Sequence, residues 1–261
     1  MKNEKDIQEE FSYYRCGCFE SYNKILGYYQ ALSCIENGRD GIAIDLACGD
    51  GMLTSYLCQH YERVVGVDAS TAHLSKAKIL LPGIEFHNSL IEDLDISEKF
   101  DSVFLINVLE HVLDPGIVLQ KAATLLNSEG VLIVHVPNAM AVNRKIAVIM
   151  ETLESYDELS PYDINVVGHR RSYTLDTLRD DVETVGLNVY KVGGIFFKML
   201  STPQMDWFLK NGPWDEGGFG WGRVGGDKKD WRAEFCRACY EYGKERPEDC
   251  NIIYVCAKRK K

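Results

Sequence analysis

Apolar residues recur along the chain in two alternating rhythms. Short apolar runs near residues 41–46, 63–68, 83–87, 101–107 and 130–136 read as buried strands. Between them, residues 51–61, 70–80 and 115–127 carry apolar positions at helical spacing, and Pro82-Gly83 and Ser128-Glu129-Gly130 punctuate the series. Strands alternating with helices predict parallel strands joined by right-handed crossovers. Residues 7–36 read as helical around Phe11, Tyr14, Phe19, Tyr22 and Ile25, with Gly38 ending the region. After Pro137-Asn138 the pattern changes. Residues 142–155 read as an amphipathic helix and a polar stretch with Pro161 follows. Thr174 looks like the N-cap of a helix over 175–186, and strands follow near 188–197 and 251–257. Between these two strands, residues 211–227 hold seven glycines among aromatics and read as a long loop, either a lid or a surface excursion.

The most informative run is Ile42-Ala43-Ile44-Asp45-Leu46-Ala47-Cys48-Gly49-Asp50-Gly51. An apolar strand breaks there into a tight turn. Gly49 and Gly51 reach backbone angles other residues avoid and let a ligand approach the main chain. Seventeen residues after Gly51, the second strand ends in Asp68. A strand, a glycine turn, a helix and a second strand ending in an acid make a nucleotide-binding half, with the acid placed to accept ribose hydroxyls. An N-cap role for Asp68 is the alternative. A dinucleotide site calls for a third glycine and a pyrophosphate on the helix N-terminus. Here the third glycine is absent, and Asp45 and Asp50 bring negative charge to the turn. That excludes a nicotinamide dehydrogenase and favours a ligand with a positive centre and an ammonium group, such as S-adenosylmethionine.

Asp45-Leu46-Ala47-Cys48-Gly49-Asp50-Gly51 resembles the first motif of class I S-adenosylmethionine-dependent methyltransferases. Glu92-Asp93-Leu94, Phe100 to Val112 and Leu125 to Val134 are similar to later motifs of that family, in order, over roughly residues 41–137. The resemblance implies an α/β fold: a Rossmann-like, seven-stranded, mostly parallel sheet with helices on both faces and an antiparallel last strand. It also implies N-terminal helices and a helical or loop insertion as substrate cap. The expected division is an N-terminal helical lid (1–40), a cofactor-binding core (41–137), a cap insertion (138–173) and the completion of the sheet (174–261). The implied cofactor is S-adenosylmethionine, leaving as S-adenosylhomocysteine. Asp45 is expected at its amino acid end, and the backbone of Ala47, Cys48, Gly49 and Gly51 along its methionine moiety. Asp68, with Ala69 beside it, is expected at the ribose. Many relatives place an acid at the adenine where this chain has Leu90. Ile91 is expected to donate its N–H to the ring, with Glu92 or Asn88 in place of the missing acceptor. Asn107 is expected to touch the cofactor through its backbone. Tyr14 and Arg15 are expected to close the crevice from above, Arg15 pairing with the cofactor carboxylate or lying on the surface.

Bulk properties narrow the picture. A chain of 261 residues with a net charge of −10 suits one domain with an insertion and argues against a nucleic-acid partner. No apolar run approaches the ~20 residues that span a bilayer, and no secretion signal is expected, which points to the cytoplasm and no membrane partner. Nine cysteines then read as reduced thiols. Cys236-Arg237-Ala238-Cys239 is the only C-x-x-C, with Cys250 and Cys256 after it, a poor match to paired zinc ligands, so no metal site is expected.

Transfer to an oxygen or ammonium nucleophile needs a base as well as positioning. His111 and His169 are the candidates, with His135 read as a core histidine in a buried strand. His111, Arg170, Arg171 and Tyr173 are candidate substrate contacts, because two arginines can hold a carboxylate or phosphate bidentately. Ion pairs to Asp157, Glu158 or Asp163 are the alternative. The reading is methyl transfer to an oxygen, nitrogen or carbon of a small anionic metabolite. A protein or RNA methyltransferase is the alternative enzyme, and an adenosyl-binding scaffold the non-catalytic one.

Overall fold

Seven strands form one sheet in the order β3-β2-β1-β4-β5-β7-β6 in the computed structural model, which describes residues 4–11, 19–216 and 229–260. The strands are β1 (Ile42–Leu46), β2 (Arg63–Asp68), β3 (Glu85–Asn88), β4 (Phe100–Ile106), β5 (Leu126–Pro137), β6 (Leu187–Phe197) and β7 (Cys250–Arg259). The first five run parallel, and β7 alone is antiparallel, inserted between β5 and β6. The expected antiparallel last strand is therefore present. Tyr14, Arg15 and residues 217–227 of the glycine-aromatic loop lie outside the described residues.

The apolar runs form strands because both faces of each are covered. Alternate residues feed two separate cores: Val103 and Leu105 of β4 face one, Phe104 and Ile106 the other. The same split divides Ile253, Val255 and Ala257 of β7 from Ile252, Tyr254 and Cys256. The first core packs against α5 (Pro115–Leu125) and α7 (Leu175–Thr184). The second packs against α2 (Glu20–Asn37), α8 (Thr202–Asn211) and α9 (Trp231–Glu245). Near-continuous apolar runs are what two-sided burial of a parallel sheet requires.

Helix starts follow local chemistry. Ser70 accepts from His73 N at the head of α4 (Thr71–Leu80), and Asp114, with Pro115 behind it, caps α5. Thr174 and Ser201 each form a capping box, at α7 and α8. Three expectations change. The helix expected over 142–155 is α6 (Val142–Ile149), stopped by Glu151 in the left-handed region (φ 58°). Glu151 N donates to Val148 O and Thr152 N to Ala147 O, the paired bonds of a Schellman end. The helical region expected over 7–36 holds α1 (Glu4–Phe11) and α2, and α3 is only Met52–Leu57. Finally, α8 and α9 occupy stretches flanking the glycine-aromatic run that carried no element in the sequence reading.

The helix α9 also explains its cysteines. Cys236 and Cys239, one turn apart, face the sheet within the second core together with Cys256, and all are buried. Cys250 Sγ donates to Gly243 O. These thiols pack as small apolar groups.

The helix α2 begins after Phe19, whose side chain makes no capping bond. Its first turn is capped from outside: Asp206 of α8 accepts from Tyr22 N at 3.0 Å and pairs with Lys210 at 2.7 Å. Burial raises the Asp206 carboxyl, but the bonds from Lys210 and Tyr22 N outweigh it and hold the group below its usual range. Asp206→Ala is expected to lower the unfolding free energy by about 1–2 kcal/mol at neutral pH in urea titration. Because the folded carboxyl titrates below its unfolded counterpart, that difference is full above the ordinary carboxylate range and shrinks as pH falls through the folded value.

Candidate active site

In an open α/β sheet, ligands sit beyond the carboxyl ends of the strands where strand order reverses. That point lies between β1 and β4, and a cleft of about 920 Å3 opens there. The volume is ample for a nucleoside and a second small molecule.

The β1 side carries most of the expected cofactor residues. Asp45 is 2% exposed, lines the cleft and accepts from Thr54 Oγ1 at 2.7 Å. Ala47, Cys48 and Gly49 form the turn beside it, with Ala47 (φ 65°) and Gly49 (φ 59°) both left-handed. Asp68 binds this turn to β2: its Oδ2 accepts from Gly49 N and its Oδ1 from Ser70 N, both at 2.8 Å. Ser70 Oγ, not Asp68, caps the following helix, so the cap alternative for Asp68 is overturned. Ala69, Leu90, Ile91 and Glu92 continue the wall. Asn88 is committed elsewhere, donating to Asp68 O and Ala69 O and accepting from Lys5, so only Glu92 of the two substitute acceptors lies on the wall.

Gly51 is a correction. It does not line the cleft; it starts α3 at φ 82°, where an added Cβ would stand 3.1 Å from the Ala77 Cβ on α4. Its role is close packing of α3 on α4. Asn107, at the end of β4, takes φ 54° and donates its N–H to His135 O at 2.9 Å. Its side-chain amide pairs reciprocally with Gln30 of α2, at 3.1 and 3.3 Å. Left-handed non-glycine residues such as Ala47 and Asn107 concentrate where geometry is held for function.

Next to Asn107 stand Glu110, His111 and His169. His111 Nδ1 lies 3.3 Å from Gly168 O, and its Nε2 lies 3.8 Å from Glu110 Oε1. The two imidazoles meet edge to face with centroids 4.9 Å apart. Ligand-type atoms of the three residues fall within 4.8 Å of one another. Burial lowers the His169 pKa; Asp163, 3.7 Å from Nδ1, opposes that and Arg144 adds to it. His135 is fully buried, 4.0 Å from Cys34 Sγ, and burial lowers its pKa to about 3, so it is a neutral core residue.

Three expected substrate contacts point elsewhere. Arg171 donates to the carbonyls of Leu109, Val112 and Leu113, at 2.5, 2.6 and 3.0 Å, clamping the loop after β4. Tyr173 is 3% exposed in the first core and donates its hydroxyl to Asp181. Arg170 pairs with Glu4 of α1 at 3.1 Å and does not line the cleft. Of the ion-pair alternatives, Asp163 is taken by Arg144 at 3.2 Å. Sequence reasoning missed Gln30, Arg144 and Lys198, all on the cleft wall. Lys198 had one signal: a charged residue just beyond an apolar run, hence at a strand's carboxyl end.

The donor set fits a cationic nucleoside. Asp45, Asp50, Asp68 and Glu92 line the turn side of the cleft, where a pyrophosphate would meet repulsion while ribose hydroxyls and an ammonium find acceptors.

A family model described as a methyltransferase domain matches residues 13–192. The chain is 32% identical over 113 residues to the ubiquinone biosynthesis O-methyltransferase of Rhodopseudomonas palustris strain TIE-1, covering 42% of this chain and 44% of that protein. It is 25% identical over 187 residues to the protein of the same name from strain BisB5, covering 68% and 71%. The chain thus spans less than half the length of the first of these curated relatives. Among solved structures it superposes on the plantazolicin methyltransferase BamL in complex with SAH (TM-score 0.56, 14% identity, 99% and 97% covered). A second is an S-adenosylmethionine-dependent methyltransferase of Clostridium acetobutylicum (TM-score 0.53, 15% identity, 91% and 92% covered). At these identities the superpositions speak for the fold.

Arg171→Ala strands three backbone carbonyls around His111. It is expected to cost about 2–3 kcal/mol in denaturant unfolding. An unchanged midpoint would return Arg171 to the list of ligand contacts.

Proposed function

The chain belongs to the methyltransferase-domain family, among the class I S-adenosylmethionine-dependent methyltransferases, and on that premise we propose that it transfers a methyl group to a nucleophile on a small molecule. The observation that carries this reading is the Asp68 carboxylate locked to the Gly49 turn at the switch point, with an acidic rather than basic turn. S-adenosylmethionine, when bound, supplies a methyl group on a sulfonium that is displaced in line.

This chain's residues then have four tasks. Asp45 and Asp68 receive the amino acid end and the ribose; Leu90, Ile91 and Glu92 flank the base. Asn107 and Gln30, joined by their amides, fix the wall between the two halves of the cleft. His111 takes the proton from the acceptor. Because Gly168 O only accepts, His111 Nδ1 carries the proton, Nε2 holds the lone pair, and Glu110 lies 3.8 Å away to stabilise the imidazolium that forms. His169, held neutral by burial, is the second candidate base. Residues 138–173 and α1 supply the cap, since Glu4, Gln8, Arg144 and His169 all line the cleft. An oxygen nucleophile is the first acceptor class to test, because the curated relatives carry the name of O-methyltransferases. The anionic acceptor expected from Arg170 and Arg171 loses that support, since both guanidinium groups are engaged.

Calorimetric titration with S-adenosylmethionine and S-adenosylhomocysteine, with NAD as control, tests the premise: binding of the first two and none of NAD is expected. Asp68→Ala is expected to weaken both adenosyl ligands by about tenfold or more, roughly 1.4 kcal/mol; unchanged affinity would reduce Asp68 to a turn-stabilising residue. His111→Gln is expected to leave that affinity intact and lower kcat by roughly 10²–10⁴. If kcat holds, His169 takes the role of base.

A further inference from the structure

Lys198 follows β6 directly, at the carboxyl edge that the parallel strands share, one residue past Phe197 and two past the left-handed Phe196 (φ 65°). Its side chain lines the cleft, yet the residue is only 3% exposed. The ammonium donates to Thr202 Oγ1 at 3.0 Å and stands 4.8 Å from the centroid of the Tyr22 ring. No carboxylate pairs with it among the described residues.

The other long cations on the cleft wall are matched. Lys24 is paired with Glu20. Arg144 is fully engaged: it pairs with Asp163 and donates to Tyr156 O and Glu158 O. Asp163 in turn accepts from Ser160 N and Ser160 Oγ on the oxygen that meets Arg144, and its other oxygen lies 3.7 Å from His169 Nδ1. That leaves an ammonium with three donors, one neutral acceptor and an aromatic face. A buried cation held this way is disfavoured, and its pKa is lowered to about 7, chiefly by burial, with Asp163 opposing and Arg144 assisting. An arriving anion would supply the missing charge and acceptors at once.

We infer that Lys198 receives a carboxylate of the methyl acceptor and thereby fixes which small molecules the cleft takes. The inference rests on the methyltransferase reading only for the words methyl acceptor; the carboxylate site stands on Lys198 itself. One available cation calls for one negative charge. A phosphate dianion would face the carboxylates of Asp163 and Glu110 across the same cleft with half its charge unmatched. The Tyr22 ring beside the ammonium, and Ile252 on the same cleft, offer apolar surface for the body of the molecule.

The experiment is calorimetric titration of the protein, free and saturated with S-adenosylhomocysteine, with benzoate, its neutral isostere benzamide, and phenyl phosphate. The expected result is benzoate binding that exceeds benzamide and phenyl phosphate by at least about tenfold, a difference of roughly 1.4 kcal/mol. Lys198→Met keeps the stem but removes the donors, and should lose the benzoate preference while leaving S-adenosylhomocysteine affinity within about twofold. Lys198→Gln serves the same purpose if the first variant does not fold. Equal binding of benzoate and benzamide, tighter binding of phenyl phosphate, a preference that survives both substitutions, or no binding of any probe would each overturn the proposal. Failure of S-adenosylhomocysteine to bind the unsubstituted protein would instead strike the methyltransferase reading, with the benzoate titration of the free protein still reporting on Lys198.

Discussion

One hydrogen bond organises the cofactor half of the molecule: Gly49 N donating to Asp68 Oδ2 at 2.8 Å. The chain leaves β1 through a turn whose backbone bends by left-handed conformations at Ala47, Gly49 and Gly51. Such a turn carries N–H groups past the end of the β1 strand that still need acceptors. The carboxylate at the end of the adjacent strand β2 satisfies one of them, and Cys48 N finds Val67 O at 2.9 Å. The same carboxylate receives Ser70 N, so a single side chain aligns the β1 turn with the start of α4. A carboxylate bonded to two backbone amides is stiff, which is the property a ribose acceptor needs.

The sheet was legible because its strands are buried on both faces. Runs such as Val103-Phe104-Leu105-Ile106 must feed both cores, so apolarity without alternation is the signal, and every expected strand is found. The missed helices α8 and α9 lack that clarity. Their buried positions are sparse: Met205, Asp206 and Leu209 in one, Cys236, Cys239, Tyr240 and Gly243 in the other. Polar and small residues on the buried face erase the periodic contrast by which a helix is read. Asp206 shows why such a residue is there: it faces inward to cap α2, a demand set by another element's N-terminus and invisible in local sequence.

The site was legible only where chemistry is local. The turn, its acid and the histidine after β4 sit in short segments whose residue types suit one task. Arg171 misled because a guanidinium serves equally to bind a substrate carboxylate or three loop carbonyls. Which of the two it does is decided by residues about 60 positions away. Tyr173 misled for the same reason; its hydroxyl found Asp181 two turns along α7 rather than the cleft. Gly51 carried the right conformation but for packing against Ala77. In each case a residue of the right type was claimed first by the fold.

That claim can be used in reverse. A charge that closes a helix end or a loop is matched by backbone groups, as Asp206 and Arg171 are. A charge that holds the cap together is matched by another side chain, as Arg144 is by Asp163. Charges assigned to the fold therefore come with their counter-groups, because an unmatched buried charge lowers stability with nothing in return. Asp45 accepts from Thr54, Asp68 accepts from Gly49 and Ser70 and lies 3.6 Å from His73 Nδ1, and both acids border the cleft. Lys198 meets one neutral hydroxyl and an aromatic face, with no paired carboxylate among the described residues. These buried charges mark out the cofactor half of the cleft and a cationic corner at the end of β6. With the cofactor held by Asp45 and Asp68 as proposed, and the acceptor carboxylate by Lys198, the pair would enter with its positive end toward β1 and β2 and its negative end toward β6.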